Sequence, residues 1–200
     1  MPLGASPQGT APILRVEDWA ELSDEYRGEL VRGTLVETEK PSYLHEVALA
    51  WLMELLLVWC RAHGVRVVGS GLRYVLTKDT GRSPDLSVFL AGSPRPPSRG
   101  AVRTPPSIAV EIVSATPSDA RRDRIEKLSE YAAFGIKWYW LVDPQLRSVE
   151  ILELNDQGRY VHLVNATDGT VSVPGCPELR LPVDDLWREL DEAIAEASEP

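Results

Sequence analysis

A single α/β domain with the order helix, strands, helix, strands is the fold the sequence predicts, and three observations predict it. A long apolar segment over 43–63 has the length of a buried helix; the runs "VRVVGSGLRYVLT", "DLSVFL" and "SIAVEIVS" follow it with strand-like composition; and a second helical segment separates these from "KWYWLVD" and "SVEILEL". Two hundred residues with 44% hydrophobic and 26% charged content suit one domain with one sizeable core.

Taken in order, residues 1–12 are rich in Pro, Gly and small side chains and read as a loose leader, with the domain proper over 13–190. "VEDWAELS" suits a short helix, and "YRGELVRGTLVETE" alternates apolar and polar around Gly33, as a hairpin does. Ser42 is placed to cap the long helix and Gly64 to close it. The first two strand runs are joined by the turn-rich "KDTGRSP", the next two by the Pro- and Arg-rich "AGSPRPPSRGAVRTPP". In "TPSDARRDRIEKLSEYAAFG" Thr116 reads as a cap, Pro117 sits in the first turn, Asp119 follows three after the cap and Gly135 ends the helix. "GRYVHLV" adds a strand. The acidic helix over 184–197, with Asp184 or Asp185 as its cap, reads as packing on the domain or serving dimerisation.

Charge and composition narrow the function classes. A formal net charge of −9 argues against broad electrostatic attraction to nucleic acid, so any such contact must be local. Cys60 and Cys176 form no CxxC pair, which suggests neither a zinc site nor a disulfide framework and fits a reducing cytoplasm. The apolar stretch "VALAWLMELLLVWC" is interrupted by Glu54 and reads as a buried helix, not a membrane span.

Asp85 is the residue that asks for chemistry. It stands at the mouth of an apolar strand, where a carboxylate loses hydration at considerable cost unless a hydrogen bond or a cation compensates it. If "DLSVFL" and "SIAVEIVS" are antiparallel neighbours, Asp85 falls beside Glu111, since paired strands lie about 4.8 Å apart. Period two puts Ala109, Glu111 and Val113 on one face and Ile108, Val110 and Ile112 on the other, which leaves Glu111 the one charge in its strand. Two such carboxylates repel unless one is protonated or a cation lies between them. A hard, oxygen-seeking Mg²⁺ or Mn²⁺ suits that place. The alternative is that Asp85 caps a turn and Glu111 pairs with an arginine.

The second helix supplies a third element. Asp123, Lys127 and Tyr131 recur every four residues and share one face. A helix that folds back along the strand ending near Ser114, rising about 1.5 Å per residue, brings Lys127 to the level of Glu111. There it would neutralise a phosphate or orient a water; as a surface lysine of a Glu/Lys-rich helix it would do neither.

"SPD" opening a strand, "AVEIVS" after a loop, "DRIEKLSEYAAFGIKWYWLVDP" as helix and strand, and "YLHE" opening the long helix together resemble the Uma-type family of putative restriction endonucleases, within the PD-(D/E)XK nuclease superfamily. The resemblance spans roughly residues 20–190. It implies a restriction endonuclease-like core, a mixed central sheet flanked by helices, and Mg²⁺-dependent hydrolysis of phosphodiester bonds in DNA. Carried over, Asp85 and Glu111 are the metal ligands with the Ile112 carbonyl as a backbone ligand, Lys127 is the catalytic lysine, and His45 or Glu46 is the contribution of the upstream helix. One departure stands out: two residues after Glu111, where the superfamily's usual pattern has a lysine, this chain has Val113. His45 also shares a helical stripe with Leu49, Leu52 and Leu56, which suits a core histidine.

The basic residues are uneven. Arg95, Arg99 and Arg103 lie in the loop before Glu111, and Arg121, Arg122, Arg124 and Lys127 in the helix after it, an expected positive rim for DNA on an acidic protein. The alternative is that they pair with Asp119, Asp123 and Glu126. Three function classes follow: a metal-dependent endonuclease, for which a homodimer would be convenient; a nuclease fold that binds nucleic acid or a protein partner without cutting; and another carboxylate hydrolase, for which Trp51, Trp138 and Trp140 stand at core-like positions and offer no sugar cleft.

Overall fold

The computed structural model describes residues 14–22, 28–37, 40–114, 116 and 120–198. The expected leader and the expected roles of Pro117 and Asp119 lie outside the described residues.

A short helix, α1 (Val16–Ala20), precedes the hairpin of β1 (Glu29–Val31) and β2 (Thr34–Val36). Its turn residues Arg32 and Gly33 both take positive φ, the conformation that matches a two-residue turn to the twist of its strands. The long helix α2 (Tyr43–His63) starts where the Ser42 hydroxyl accepts the His45 N–H at 3.2 Å and stops at Gly64, whose φ of 66° is open to glycine without a Cβ clash. Both ends are as the sequence indicates.

The expected strand "VRVVGSGLRYVLT" is two strands. β3 (Arg66–Val68) and β4 (Tyr74–Val75) belong to different sheets, because Gly69–Ser70–Gly71 lets the chain turn between them. Part of the expected turn "KDTGRSP" is itself a strand, β5 (Gly81–Arg82). β6 (Leu86–Phe89) and β7 (Ile108–Ile112) then pair antiparallel, with Leu86 opposite Val110.

After β7 the chain enters a π-helical turn, Arg122–Glu126, that runs into α3 (Lys127–Phe134) and ends at Gly135 with φ 90°. β8 (Trp138–Asp143) returns parallel to β7, as a strand reached through a helical crossover does. β9 (Ser148–Leu154), β10 (Tyr160–Ala166), β11 (Thr170–Ser172), β12 (Arg180–Pro182) and α4 (Val183–Ala197) complete the chain. Helix α4 begins one residue before Asp184, and neither predicted cap serves: the Asp184 carboxylate accepts the Gly169 N–H at 2.9 Å and Asp185 pairs with Arg188 at 2.6 Å.

The main sheet has six strands in the order β10-β9-β8-β7-β6-β3, mixed because β7 and β8 are parallel while the other neighbours are antiparallel. Ile108, Val110 and Ile112 pack on one face against Leu52 and Leu56 of α2 and Leu186, Trp187 and Leu190 of α4. Fully burying each such side chain is worth about 1.5–3 kcal/mol, and this use of α4 spends its apolar face inside the molecule. Ala109 and Val113 face the other way, against Tyr131 of α3 and Tyr139 of β8. The two-residue alternation read from β7 therefore decides which helix covers which face. A four-stranded sheet, β2-β1-β5-β4, sits alongside with Trp19 of α1 buried on it.

Candidate active site

In the antiparallel pair β6–β7, the strand mouth before Leu86 lies beside the strand end after Val110, which brings Asp85 next to Glu111 and Ile112. One Asp85 oxygen accepts the Ile112 N–H at 2.7 Å and lies 3.3 Å from His45 Nε2. Glu111 is buried; one oxygen accepts the Tyr131 hydroxyl at 2.7 Å and the other lies 2.9 Å from Lys127 Nζ. Among the described residues, no arginine forms an ion pair with either acid.

The π-helical turn explains how Lys127 arrives. Its wider backbone, closed by the Lys127 N–H on the Arg122 carbonyl, turns both Asp123 and Lys127 inward, and the Tyr139 hydroxyl pins the Asp123 carbonyl at 3.0 Å. The Lys127 ammonium then lies 2.9 Å from Asp123 Oδ1 and 3.6 Å from Glu29 Oε1 as well as on Glu111. Asp123, Lys127 and Tyr131, one face in the sequence, all meet Glu111 or its partners.

Glu29 is the member that sequence reasoning missed. It opens β1, is buried, and takes Arg82 Nη1 at 2.7 Å and the Ser83 N–H at 3.2 Å. Arg82, fully buried, reaches Glu130 with Nε at 2.6 Å and Nη2 at 3.0 Å. A charged residue in a short strand ordinarily faces water, so local pattern gave no hint of Glu29; an arginine two residues ahead of "PD" was the available signal.

The electrostatics follow from burial and crowding. Burial works against the Lys127 charge, but Glu111, Glu29 and Asp123 outweigh it and hold the ammonium well above the ordinary lysine range. Burial pushes the Glu111 carboxyl well up; Lys127 opposes that, and Asp123, Asp85 and Glu29 add to it. Asp123 is raised by burial against the pull of Lys127. For Glu29, burial is overcome by Lys127 and Arg82, and its pKa is lowered. His45 loses proton affinity through burial and regains more from Asp85 and Glu46, so its pKa is raised. The site is short of positive charge.

Oxygen donors crowded in this way suit a hard divalent cation. Among the described residues no three His, Cys, Asp or Glu side chains are arranged to hold a metal ion, so an ion there would rest on Asp85, Glu111, a carbonyl such as that of Ile112, and water, which is the ordinary protein share for magnesium.

The remaining expected site residues are dispersed. Glu46 is exposed and lies 3.6 Å from the other ring nitrogen of His45, so of the two helix candidates His45 is the one at Asp85. Arg124 donates to Asp143 at 2.9 Å and to Glu150, and Arg121 donates to Glu126 at 3.2 Å. Arg122 opens the π-helical turn. The loop arginines do not flank the site as expected: Arg95 binds the Phe89 carbonyl at 2.7 Å, at the opposite end of β6 from Asp85, because a loop joining antiparallel strands lies away from their free ends. Arg103 pairs with Glu17 at 2.8 Å.

Residues 15–184 match the Uma2 family, described as "putative restriction endonuclease". Among solved structures, one described as a putative nuclease belonging to DUF820 from Anabaena variabilis has a TM-score of 0.70 at 21% identity, covering 88% of this chain and 99% of that one. The type IIG restriction endonuclease BpuSI has a TM-score of 0.40 at 16% identity, covering 82% of this chain and 18% of that one. No curated protein matches. The Anabaena likeness establishes the fold, a mixed sheet flanked by helices.

Proposed function

The chain belongs to the Uma2 family of putative restriction endonucleases, and from that premise we propose that it is a divalent-metal-dependent endonuclease acting on phosphodiester bonds in DNA. The observation that carries this reading is the meeting of Asp85 and Glu111 at adjacent strand ends with the Lys127 ammonium 2.9 Å from Glu111. Asp85, Glu111 and the Ile112 carbonyl would hold Mg²⁺ or Mn²⁺, which when bound lowers the pKa of a water and offsets charge on the phosphoryl oxygens. Lys127 substitutes for the lysine that Val113 cannot supply, because what matters is where the ammonium arrives and not which element carries it. Tyr131 orients the Glu111 carboxylate and the Ile112 N–H orients Asp85. His45, partly buried and 3.3 Å from Asp85, is within reach to exchange a proton with water or a leaving group there.

A second reading, nucleic-acid or protein binding without cleavage, is favoured by one observation: Val113, two residues after Glu111, cannot polarise a water as a lysine there would. Supercoiled plasmid incubated with Mg²⁺ or Mn²⁺ separates the two. Nicking or linearisation that is lost in both Asp85→Asn and Glu111→Gln supports the nuclease; retention of DNA without cutting supports the second reading; cutting that survives both changes refutes the site.

A further inference from the structure

We propose that Glu29 is a positioning residue that fixes the Lys127 ammonium relative to the metal-ligand strands. Among the described residues Lys127 has three acidic neighbours, and they are not equivalent. Asp123 stands one turn earlier in the same helical segment, so it moves with the lysine and cannot set its place against the sheet. Glu111 is the carboxylate that a divalent ion would share, so its hold weakens when the ion binds. Among the described residues Glu29 is the neighbour of Lys127 that belongs neither to the helix nor to the ligand pair.

Glu29 is itself held rigidly. Arg82 Nη1 and the Ser83 N–H take its two oxygens, and Ser83 stands two residues before Asp85. Arg82 continues to Glu130, which lies on α3 one turn beyond Lys127. The chain Lys127–Glu29–Arg82–Glu130 is therefore a closed ring of charges that returns to its starting helix. It ties α3 to the small sheet at two points and to the lead-in of Asp85 at a third. A closed ring of ion pairs, hydrogen-bonded along Glu29–Arg82–Glu130 and joined to Lys127 at 3.6 Å, limits the freedom of an ammonium that must meet developing charge, where a misplacement of about 1 Å costs about 10²-fold in rate.

This inference rests on the nuclease reading for what Lys127 does, but not for where Lys127 sits. The test separates the two. The ¹⁵N–¹H signal of the Lys127 ammonium, assigned by its loss in Lys127→Met, is recorded at one fixed pH with and without Mg²⁺ in the wild type, Glu29→Gln and Glu29→Asp; plasmid cleavage is measured in parallel. A slow-exchanging signal is expected in the wild type in both conditions. In Glu29→Gln it should broaden when Mg²⁺ is added, with kcat lowered about 10²-fold at unchanged KM, and Glu29→Asp, which keeps the charge with a shorter reach, should recover part of both. A folded Glu29→Gln with the wild-type signal and wild-type kcat overturns the inference. If Glu29→Gln does not fold, a Glu29→Asp protein indistinguishable from wild type in both readouts overturns it equally. Absence of cleavage by the wild type refutes the nuclease reading alone, and the ammonium signal still decides the role of Glu29.

Discussion

Lys127 Nζ lies 2.9 Å from a Glu111 carboxylate oxygen, although the two residues come from a helix and a strand that meet only in the folded chain. The contact places a cation in a nest of three buried acids. Lys127→Met should leave Glu29, Glu111 and Asp123 facing one another and lower stability by about 3–5 kcal/mol, the usual cost of leaving buried charge uncompensated. The deficit should shrink in mildly acidic buffer, since the raised pKa values of Glu111 and Asp123 let them take up protons. Urea denaturation at neutral and acidic pH measures both; an equal deficit in the two buffers would contradict the crowding.

His45 gives a pH dependence of opposite origin. Its folded pKa is raised above 6.5, so the native state holds the proton more tightly than the unfolded chain. That contribution to stability is fully present below 6.5 and is lost as pH rises through the folded value. In metal-free buffer, the thermal midpoint of wild type minus that of His45→Gln should therefore be larger below this window than above it. Parallel midpoint curves would show that Asp85 does not hold the imidazolium.

Gly81 has no room for a side chain. An added Cβ would stand 2.1 Å from the Trp19 ring. Gly81→Ala should displace Trp19, weaken its 3.0 Å bond to the Gly28 carbonyl and cost about 1–3 kcal/mol, as overpacking does. The indole N–H signal of Trp19 reports the shift directly, and an unmoved signal in a fully stable variant would refute the packing.

Arg124 and Arg121 should behave differently toward DNA. Arg124 joins Asp143 and Glu150 on neighbouring strands, so Arg124→Gln should lower stability by about 1 kcal/mol, the scale of a half-exposed pair, and leave the salt dependence of DNA affinity unchanged. Arg121, exposed, should reduce the slope of log affinity against log salt by about 1 when changed to Gln. Anisotropy titrations over a salt series read both slopes, and the reverse ranking would move the DNA path to the β8–β9 side.

Much of this arrangement was legible in the chain because it depends on local rules. Ser42 and Gly64 mark a helix by capping chemistry, and the alternation of Ile108, Val110 and Ile112 with Ala109 and Glu111 fixes which face of β7 meets α2 and which meets α3. Given an antiparallel β6–β7 pair, Asp85 and Glu111 had to be neighbours. What was not legible depends on topology. Glu29 and Arg82 are 53 residues apart, on strands of three and two residues whose polar members look like solvent-facing positions. The arginines read as a DNA rim were counted by sequence distance from Glu111, whereas Arg95 lies at the far end of the hairpin and Arg124 is taken up by Asp143 and Glu150.

The buried Arg82–Glu29 contact also limits how the protein can be trimmed. A fragment starting at the long helix would keep both candidate ligands, the lysine and the whole six-stranded sheet, and on paper would look complete. It would nevertheless strand two cations without the acid they share, so the opening hairpin is as much a part of the candidate site as the strands that frame it.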